Sequence, residues 1–384
     1  MEKLKILYLI NSSEEGGAEI HLLELAKGMK SKGYDVFIFS PRGPINKRYK
    51  KNNLKQKNLF PEKDFDLKYI FQVKQFLEKE KIDILHTHLL KTTVNGLIAG
   101  CLAKTELKVA HIHGTLFDWE VSSIKRRVNV FVNALVSNQC ADKVIALTKV
   151  IKKDLIVHDK IKENKIVVIP NGLNSNSLIS IEDKDFLFRK YGWDKKEMEI
   201  VGIVGRLTRE RGHEVFIKAA EEIINEKKEK NIRFVIVGDG KLKSALEDRV
   251  SKKRLDNYIK FTGFLNEKDK NKALSNFSIF VSSAVREGFG LSVLQAMFAK
   301  IPLVVSNLEV YNEVCPNGKA SLFAKKNEKD FADKIMMLIS DKKLRIKLTN
   351  NAFKRAKEKF SLETFLNNYD NFYKFSLKNK DGKY

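Results

Sequence analysis

The sequence contains few cysteines and no long apolar run. Its three cysteines, Cys101, Cys140 and Cys315, are far apart in a chain of 384 residues, so neither a disulfide framework nor a cysteine-based zinc site is predicted. No stretch approaches the roughly 18 to 20 apolar residues that cross a bilayer. The short apolar run near the start has no small-residue cleavage site after it. We therefore expect a cytoplasmic protein that does not span a membrane.

Signatures of nucleic-acid binding are also missing, although the chain is strongly basic. It has 72 Lys+Arg against 48 Asp+Glu, a formal net charge of +24. Zinc-finger spacing, a basic zipper and the aromatic pattern of RNA-binding sheets are all absent, so no nucleic-acid partner is expected. An anionic lipid surface or a phosphorylated glycan fits this charge. A lysine-rich genome would give the same composition without any function.

The chain has enough apolar residues, 43%, to build packed cores, and its length favours two domains of roughly 180 residues. Apolar runs of strand length alternate with segments of helical period, which predicts an α/β protein with parallel sheets. The alternation pauses in a polar stretch that follows Ile169-Pro170-Asn171-Gly172 and then restarts. The predicted division is a first domain at 1–170, a linker at 171–184, a second domain at 185–355, and a C-terminal helix at 356–384 that packs back on the first domain.

Paired glycines, Gly16 and Gly17, follow the first predicted strand and open a helix. Such a turn lets the backbone approach a bound group closely, and the amides at the helix start favour negative charge. A flexible turn without a ligand is the alternative. The spacing is not that of the G-x-G-x-x-G dinucleotide fingerprint, which disfavours an oxidoreductase.

Basic and glycine-rich turns recur at strand ends in the second half. Gly205 and Arg206 follow one predicted strand, and Arg211 stands five residues after Arg206. Two guanidinium groups at the carboxyl end of a parallel sheet suit a diphosphate, although solvated surface arginines would give the same pattern. Gly238 and Phe264 lie in the turns that end the next two strands.

The most informative segment runs from 286 to 297, where a glycine-rich loop opens a helix. Its backbone amides are suited to phosphate and sugar hydroxyls. Glu287 stands in the loop as a hydrogen-bond acceptor, and Gln295 falls on the helix, about two turns on.

Nine motifs, in order along the chain, resemble those of the retaining glycosyltransferases of family 4, which have the GT-B fold of two facing Rossmann-like domains. The motifs are GGAE, DILHTHLLKT, HIHG, VIALT, IPNG, VGRLTRERGHE, VGDG, FTGF and EGFGLSVLQAM. The resemblance covers essentially the whole chain and implies this fold with a C-terminal helical segment.

The resemblance also assigns roles to residues. Arg206 and Arg211 correspond to the pair that neutralises the diphosphate, Glu287 to the first acidic residue of the family's E-x7-E motif, and His113 to the position beside the transferring sugar. Gln295 departs from the pattern, because the family has there a glutamate that bonds the ribose hydroxyls. The residues expected to bind the donor or substrate are Gly16, Gly17, His88, Gly205, Gly238, Phe264, Phe289, Gly290, Leu291 and Gln295.

The implied activity is transfer of a hexose-type sugar, with retention, from a nucleotide-diphosphate donor, a UDP-sugar favoured. The expected acceptor is a cell-surface glycan or a lipid-linked saccharide, lipopolysaccharide included. No cofactor is expected, and no metal, because family members generally work without one; His86, His88 and His113 are nonetheless compatible with one by composition. A GT-B nucleotide-sugar epimerase and a polyanion-binding protein with an inactive transferase fold are the alternatives.

Two basic clusters lie in the first predicted domain, on the acceptor side in the family. One spans Lys47 to Lys57, and the other is Lys125-Arg126-Arg127. They predict peripheral contact with an anionic membrane, on its cytoplasmic face. Solvated loops in a lysine-rich protein are the alternative. Asp64-Phe65-Asp66 is formally a metal-binding D-x-D motif and is interpreted as surface.

Overall fold

The computed structural model describes residues 3–114, 122–179, 183 and 185–381. The chain forms two compact units. Unit 1 comprises the chain up to Gly172 together with the segment from Leu362 onwards, and unit 2 comprises Leu173–Ser361. No helix among the described residues is both long and apolar enough to cross a membrane.

Unit 1 is a parallel sheet of seven strands with helices around it. The strands lie in the order β3-β2-β1-β4-β5-β6-β7. They are β1 (Lys5–Ile10), β2 (Asp35–Ser40), β3 (Lys55–Asn58), β4 (Ile84–His88), β5 (Leu107–Ile112), β6 (Lys143–Ala146) and β7 (Ile166–Val168). The helices in this part of the chain are α1 (Gly17–Ser31), α2 (Ile45–Lys51), α3 (Leu67–Glu80), α4 (Leu90–Leu102), α5 (Ser123–Cys140) and α6 (Lys149–Val157).

Unit 2 repeats this design with six parallel strands in the order β10-β9-β8-β11-β12-β13. They are β8 (Glu199–Val204), β9 (Ile232–Val237), β10 (Ile259–Gly263), β11 (Ile279–Ser282), β12 (Leu303–Ser306) and β13 (Leu322–Ala324). Its helices are α7 (Asn176–Ile179), α8 (Phe186–Tyr191), α9 (His213–Glu221), α10 (Lys243–Lys252), α11 (Glu267–Ser275), α12 (Leu291–Phe298), α13 (Glu309–Val314), α14 (Glu328–Ser340) and α15 (Lys342–Phe360). A π-helical turn, Glu222–Glu226, extends α9.

The last helix, α16 (Leu362–Asp381), returns to unit 1. Its buried residues Phe365, Tyr369 and Tyr373 join the core cluster that contains β1 and α1. A Cβ on Gly28 of α1 would overlap the side chain of Leu366. The two helices therefore pack closely, and glycine at position 28 permits it.

The unit boundaries differ from the predicted ones at both places where the chain crosses from one unit to the other. Unit 2 already begins at Leu173, where the Leu173 amide donates to the Phe360 carbonyl at 3.0 Å. The predicted start of the C-terminal segment at 356 lies inside α15, which continues to Phe360 because Ala356 and Phe360 are still buried in unit 2. The strand-helix alternation of the sequence did not mark these short crossings.

Both sheets reverse their strand order beside the first strand of the unit. β1 lies between β2 and β4, and β8 lies between β9 and β11. Ligands of open α/β sheets bind at the carboxyl ends of strands where the order reverses. In unit 1 that edge carries the ends of β1, β4 and β5, and in unit 2 the ends of β8, β9 and β11. Asp66 of the D-x-D motif lies elsewhere and caps α3, accepting from the Tyr69 amide at 3.0 Å.

Candidate active-site residues in the two units

In unit 2, glycines bring the turns after β8 and β9 into direct contact. The Gly205 amide donates to the Val237 carbonyl at 3.0 Å. Gly238 has a φ of +136°, and a Cβ there would overlap the Gly205 carbonyl oxygen. Only glycine fits at position 238. Arg206, the next residue along, is exposed and makes no ion pair with any described residue.

Arg211 and Glu287 form an ion pair within unit 2. Gly212, with a φ of +68°, holds the loop against the end of β11, since a Cβ there would overlap the Ser283 carbonyl. The pair is largely buried, with side-chain exposures of 30% for Arg211 and 11% for Glu287. Burial lowers the pKa of the Arg211 guanidinium, but the neighbouring Glu287 carboxylate outweighs it, so the net shift is upward. Arg211 is a permanent cation that already has a partner.

The start of α12 offers backbone amides without a side-chain cap. Its N-cap residue, Gly290, has a φ of +92° and supplies no capping side chain. A Cβ on Gly290 would approach Tyr311 Cε1 at 2.9 Å, so glycine also permits the close packing of this loop. Phe289 is buried, with its ring against Phe360 at 5.4 Å. In this segment the backbone amides at the start of α12, rather than the side chain of Phe289, are therefore available to a ligand.

Two other residues predicted to contact the donor are Phe264, which follows β10, and Gln295, which lies on α12. Phe264, after β10, is 66% exposed, and an exposed aromatic ring is a surface on which a base can stack. Gln295 is half-buried on α12, and its amide has no hydrogen-bond partner among the described residues. Arg206, Arg211, Glu287 and the start of α12 thus all lie in unit 2 around the ends of β8 and β11.

In unit 1, the glycine turn before α1 already has a negative partner. Gly16 is the N-cap and supplies no capping side chain. Glu19, in the first helical turn, accepts a hydrogen bond from the Ser12 hydroxyl, and a Cβ on Gly16 would lie 2.7 Å from Glu19 Oε2. The carboxylate complements the positive end of α1. The prediction that Gly16 and Gly17 bind a negative group must therefore take Glu19 into account.

Five of the seven histidines of the sequence cluster in unit 1. His86 and His88 lie two residues apart on β4 and therefore on one face of the sheet. His111 lies on β5, His113 just after it, and His21 on α1. His88 stacks on His111 with ring centroids 5.0 Å apart, and His111 on His113 at 4.3 Å. His21 meets His111 edge-on at 4.5 Å. The rings from the two strands form one continuous stack, and His21 of α1 contacts three of them.

The structure corrects the prediction for His88. It was expected to line a ligand-binding edge, but it has no exposed surface, and its Nδ1 lies 3.1 Å from His113 Nε2. His113 itself is half-buried. Burial lowers the pKa of the His21 ring to about 4 and holds the pKa of His88 and His111 well below the usual value. The rings are therefore neutral at pH 7.

His21 and His111 were missed as candidate residues. For His111 a signal existed: HTH and HIH at the ends of neighbouring parallel strands put alternate residues on one face of the sheet. For His21 the sequence held no such signal, because it lies among the apolar residues of α1 and meets the strands only through the tertiary fold.

Comparison with known proteins agrees with this architecture. Residues 15–177 match the profile of Glycosyltransferase Family 4, and residues 183–355 match that of Glycosyl transferases group 1. The UDP-Gal:alpha-D-GlcNAc-diphosphoundecaprenol alpha-1,3-galactosyltransferase of Escherichia coli is 30% identical over 293 residues, which cover 74% of this chain and 73% of the relative. The capsular polysaccharide biosynthesis glycosyltransferase CapM of Staphylococcus aureus is 25% identical over the full length of both chains.

The fold has close structural counterparts. The crystal structure of Anabaena Alr3699/HepE in complex with UDP and glucose superimposes with a TM-score of 0.84 at 21% identity, covering 96% of this chain and 99% of the other. The fold and its motifs define a glycosyltransferase of the GT-B class. The chain belongs to glycosyltransferase family 4.

Proposed function

We propose that this enzyme transfers a hexose-type sugar, with retention, from a nucleotide-diphosphate donor to a lipid-linked or polysaccharide acceptor, and that a UDP-sugar is the donor. The observation that carries the proposal is the arrangement in unit 2, where exposed Arg206, the Arg211–Glu287 pair and the uncapped amides of α12 surround one sheet edge. The donor and acceptor named for the Escherichia coli relative, and the UDP bound in the Anabaena protein, support this choice.

In the proposed reaction the leaving diphosphate carries the developing charge. Arg206 and Arg211 stabilise that charge, together with the first amides of α12. The Glu287 carboxylate, ion-paired with Arg211, offers oxygen acceptors that suit sugar hydroxyls. The bond from the sugar to the diphosphate breaks as the acceptor oxygen attacks the same face, and the diphosphate oxygen takes the acceptor's proton. Neither a metal at the diphosphate nor another cofactor is required.

Helix α5 provides a surface for docking on a membrane that carries the acceptor. Its residues Ile124, Val128, Phe131 and Leu135 fall on one face at 3.6 residues per turn and are 50% to 75% exposed. Lys125 and Arg127 are exposed in the first two turns of the same helix. An apolar face flanked by basic residues is typical of helices that lie in an anionic membrane interface. In α2, by contrast, the apolar residues Ile45 and Tyr49 are buried, and only the basic ones face solvent.

Donor binding is tested with UDP-, GDP- and ADP-hexoses, each measured by thermal stabilisation and then by NMR of the product anomer. A UDP-hexose should stabilise the protein by mass action, and the product should keep the donor's anomeric configuration. An isomerised donor in the absence of acceptor would identify an epimerase. Stabilisation by none of the nucleotide sugars would identify an inactive fold, and an inverted product would refute retention.

Docking is tested by co-sedimentation with vesicles of phosphatidylglycerol and phosphatidylcholine, against phosphatidylcholine alone. Ile124→Ser with Phe131→Ser should abolish binding to the anionic vesicles, and Lys125→Gln with Arg127→Gln should make it weaker and more salt-sensitive. Lys47→Gln with Lys50→Gln on α2 is the matched control for charge and should have a smaller effect. Equal loss from both charge variants would mean diffuse attraction, and no binding by wild type at low salt would refute docking.

A further inference from the structure

We propose that His21, His88 and His111 bind a divalent first-row transition metal ion inside unit 1, with Zn²⁺ as the best-suited ion. One ring nitrogen from each of the three lies within 4.8 Å of the other two. All three side chains are buried, and they come from α1, β4 and β5. An ion held by them would connect the first helix of the unit to two neighbouring strands at their carboxyl ends.

The nitrogens left for a metal are the Nε2 atoms. In His21, His88 and His111 this atom is buried and has no hydrogen-bond partner among the described residues. Buried polar atoms in folded proteins nearly always have a partner, and each one without a partner requires an explanation such as an ion or a water. His86 Nε2 is also buried without such a partner, but His86 is not in the group whose ligand atoms lie within 4.8 Å, and the three rings of that group point to one shared occupant.

The other ring nitrogen, Nδ1, is hydrogen-bonded in each of the three. His21 Nδ1 donates to Asn171 Oδ1 at 2.6 Å. His111 Nδ1 lies 3.2 Å from the Tyr369 hydroxyl, and His88 Nδ1 lies 3.1 Å from His113 Nε2. Because an amide oxygen only accepts, the His21 proton sits on Nδ1 and its Nε2 presents a lone pair. Metal-binding histidines are typically oriented in this way by a partner on the second nitrogen.

The donor set selects the kind of ion. Neutral imidazoles suit Zn²⁺, Cu²⁺, Ni²⁺ and Co²⁺, whereas Mg²⁺ and Ca²⁺ prefer oxygen ligands. Tetrahedral Zn²⁺ with bonds of about 2.0–2.1 Å needs nitrogens about 3.4 Å apart, so a pair of nitrogens at the 4.8 Å limit would have to approach each other by roughly 1.4 Å. A fourth position remains for a water, because His113 Nε2 is already the partner of His88 Nδ1.

The sequence predicted no metal because only the strand histidines were considered and family members generally lack one. His21 supplies the third ligand from another element. The residues proposed for the diphosphate, Arg206 and Arg211, belong to unit 2. Metal binding and diphosphate binding are therefore separate claims, and either stands without the other.

The test uses the untagged full chain, freed of metal by a chelator and titrated with Zn²⁺ and Co²⁺. We expect about one ion per chain by mass spectrometry, the intense visible absorption of tetrahedral Co²⁺, and a melting temperature raised by about 5–10 °C at a hundredfold excess of Zn²⁺ over its Kd. UDP should still stabilise the metal-free protein. Failure of wild type to bind either ion would overturn the metal site and leave the proposed function untouched.

Variants locate the site. His21→Gln and His111→Gln should each lose the Co²⁺ absorption and the Zn²⁺-dependent stabilisation. The matched controls are His158→Gln, an exposed histidine of unit 1, and His213→Gln, a buried histidine of unit 2, and both should keep the Co²⁺ absorption and the Zn²⁺-dependent stabilisation. If His21→Gln binds Co²⁺ with the wild-type spectrum and affinity, this site is refuted. If a variant fails to fold, the wild-type titration in competition with a chelator decides.

Discussion

The two units place opposite chemistry at the same edge of similar sheets. In unit 1 the ends of β4 and β5 carry buried, neutral histidine rings packed on one another. In unit 2 the ends of β8 and β11 carry Arg206, exposed, and the Arg211–Glu287 ion pair. Imidazoles tolerate burial because they become neutral there, whereas a guanidinium stays charged and needs solvent or a partner. The fold fixes where a site lies, and the ionisation of its side chains decides how exposed it is.

The largest expected effect comes from breaking the charged pair of unit 2. Arg211→Ala leaves the Glu287 carboxylate buried without its cation, and we expect the free energy of unfolding of unit 2 to fall by about 3 kcal/mol, together with loss of transfer activity. Adding Glu287→Gln should restore part of the stability and none of the activity.

The measurement is urea unfolding followed by Trp193, in a Trp119→Phe background that leaves this residue as the one tryptophan of the chain. This outcome differs from the expectation for a solvated arginine, whose removal would leave stability unchanged. Wild-type stability in Arg211→Ala would show that the pair is not formed in solution.

Arg206 sharpens the comparison, because it shares with Arg211 the proposed role at the diphosphate but makes no ion pair with a described residue that would stabilise unit 2. Arg206→Ala should lower kcat/KM about 10- to 150-fold, the loss of about 1.5–3 kcal/mol from a charge-assisted contact, with stability unchanged. Arg209→Ala, three residues away and also exposed, is the matched control and should retain activity. Equal activities of the two variants would remove Arg206 from the donor site.

Unit 2 also contains one buried histidine, His213. Burial, and next the Arg211 charge, lower its pKa to about 4, against about 6.5 in the unfolded chain. Between pH 4 and 6.5 the unfolded state binds a proton at His213 and the folded state does not. The contribution of His213 to the free energy of unfolding is therefore fully present above pH 6.5 and decreases as the pH falls towards 4. From pH 7.5 to 5 the loss from this group is about 2 kcal/mol.

His213→Asn carries no such titration. Its stability, read from Trp193 at the two pH values, should therefore decrease by about 2 kcal/mol less than that of wild type. Parallel losses in both proteins would mean that His213 is accessible to protons in the folded state.

The fold, and the position of the charged residues of unit 2 in loops after strands, could be predicted from the sequence, whereas the histidine stack could not. Arg206, Arg211 and Glu287 lie in loops next to strands, and the order of strands brings such loops to one edge, so local patterns suffice. The Arg211–Glu287 contact depends on how two loops fold over Gly212 and Ser283, which no spacing encodes. His21 meets His88 and His111 only through the tertiary fold, since it lies on α1 and they lie on β4 and β5. Local sequence patterns therefore did not predict the contacts between elements that are distant in sequence.

The smallest expected effect concerns Gln295, the departure from the family motif. Its side chain is half-buried on α12, and its amide makes no hydrogen bond to a described residue that a ligand would have to replace. If ribose hydroxyls meet this position, Gln295→Glu should tighten UDP binding by up to about tenfold, since a charged acceptor makes the stronger hydrogen bond. Gln295→Ala, which removes the acceptor, should weaken UDP binding, and both are measured by calorimetry against wild type. Unchanged affinity in both variants would place the ribose elsewhere, and tighter binding in the alanine variant would mean that the amide obstructs the nucleotide.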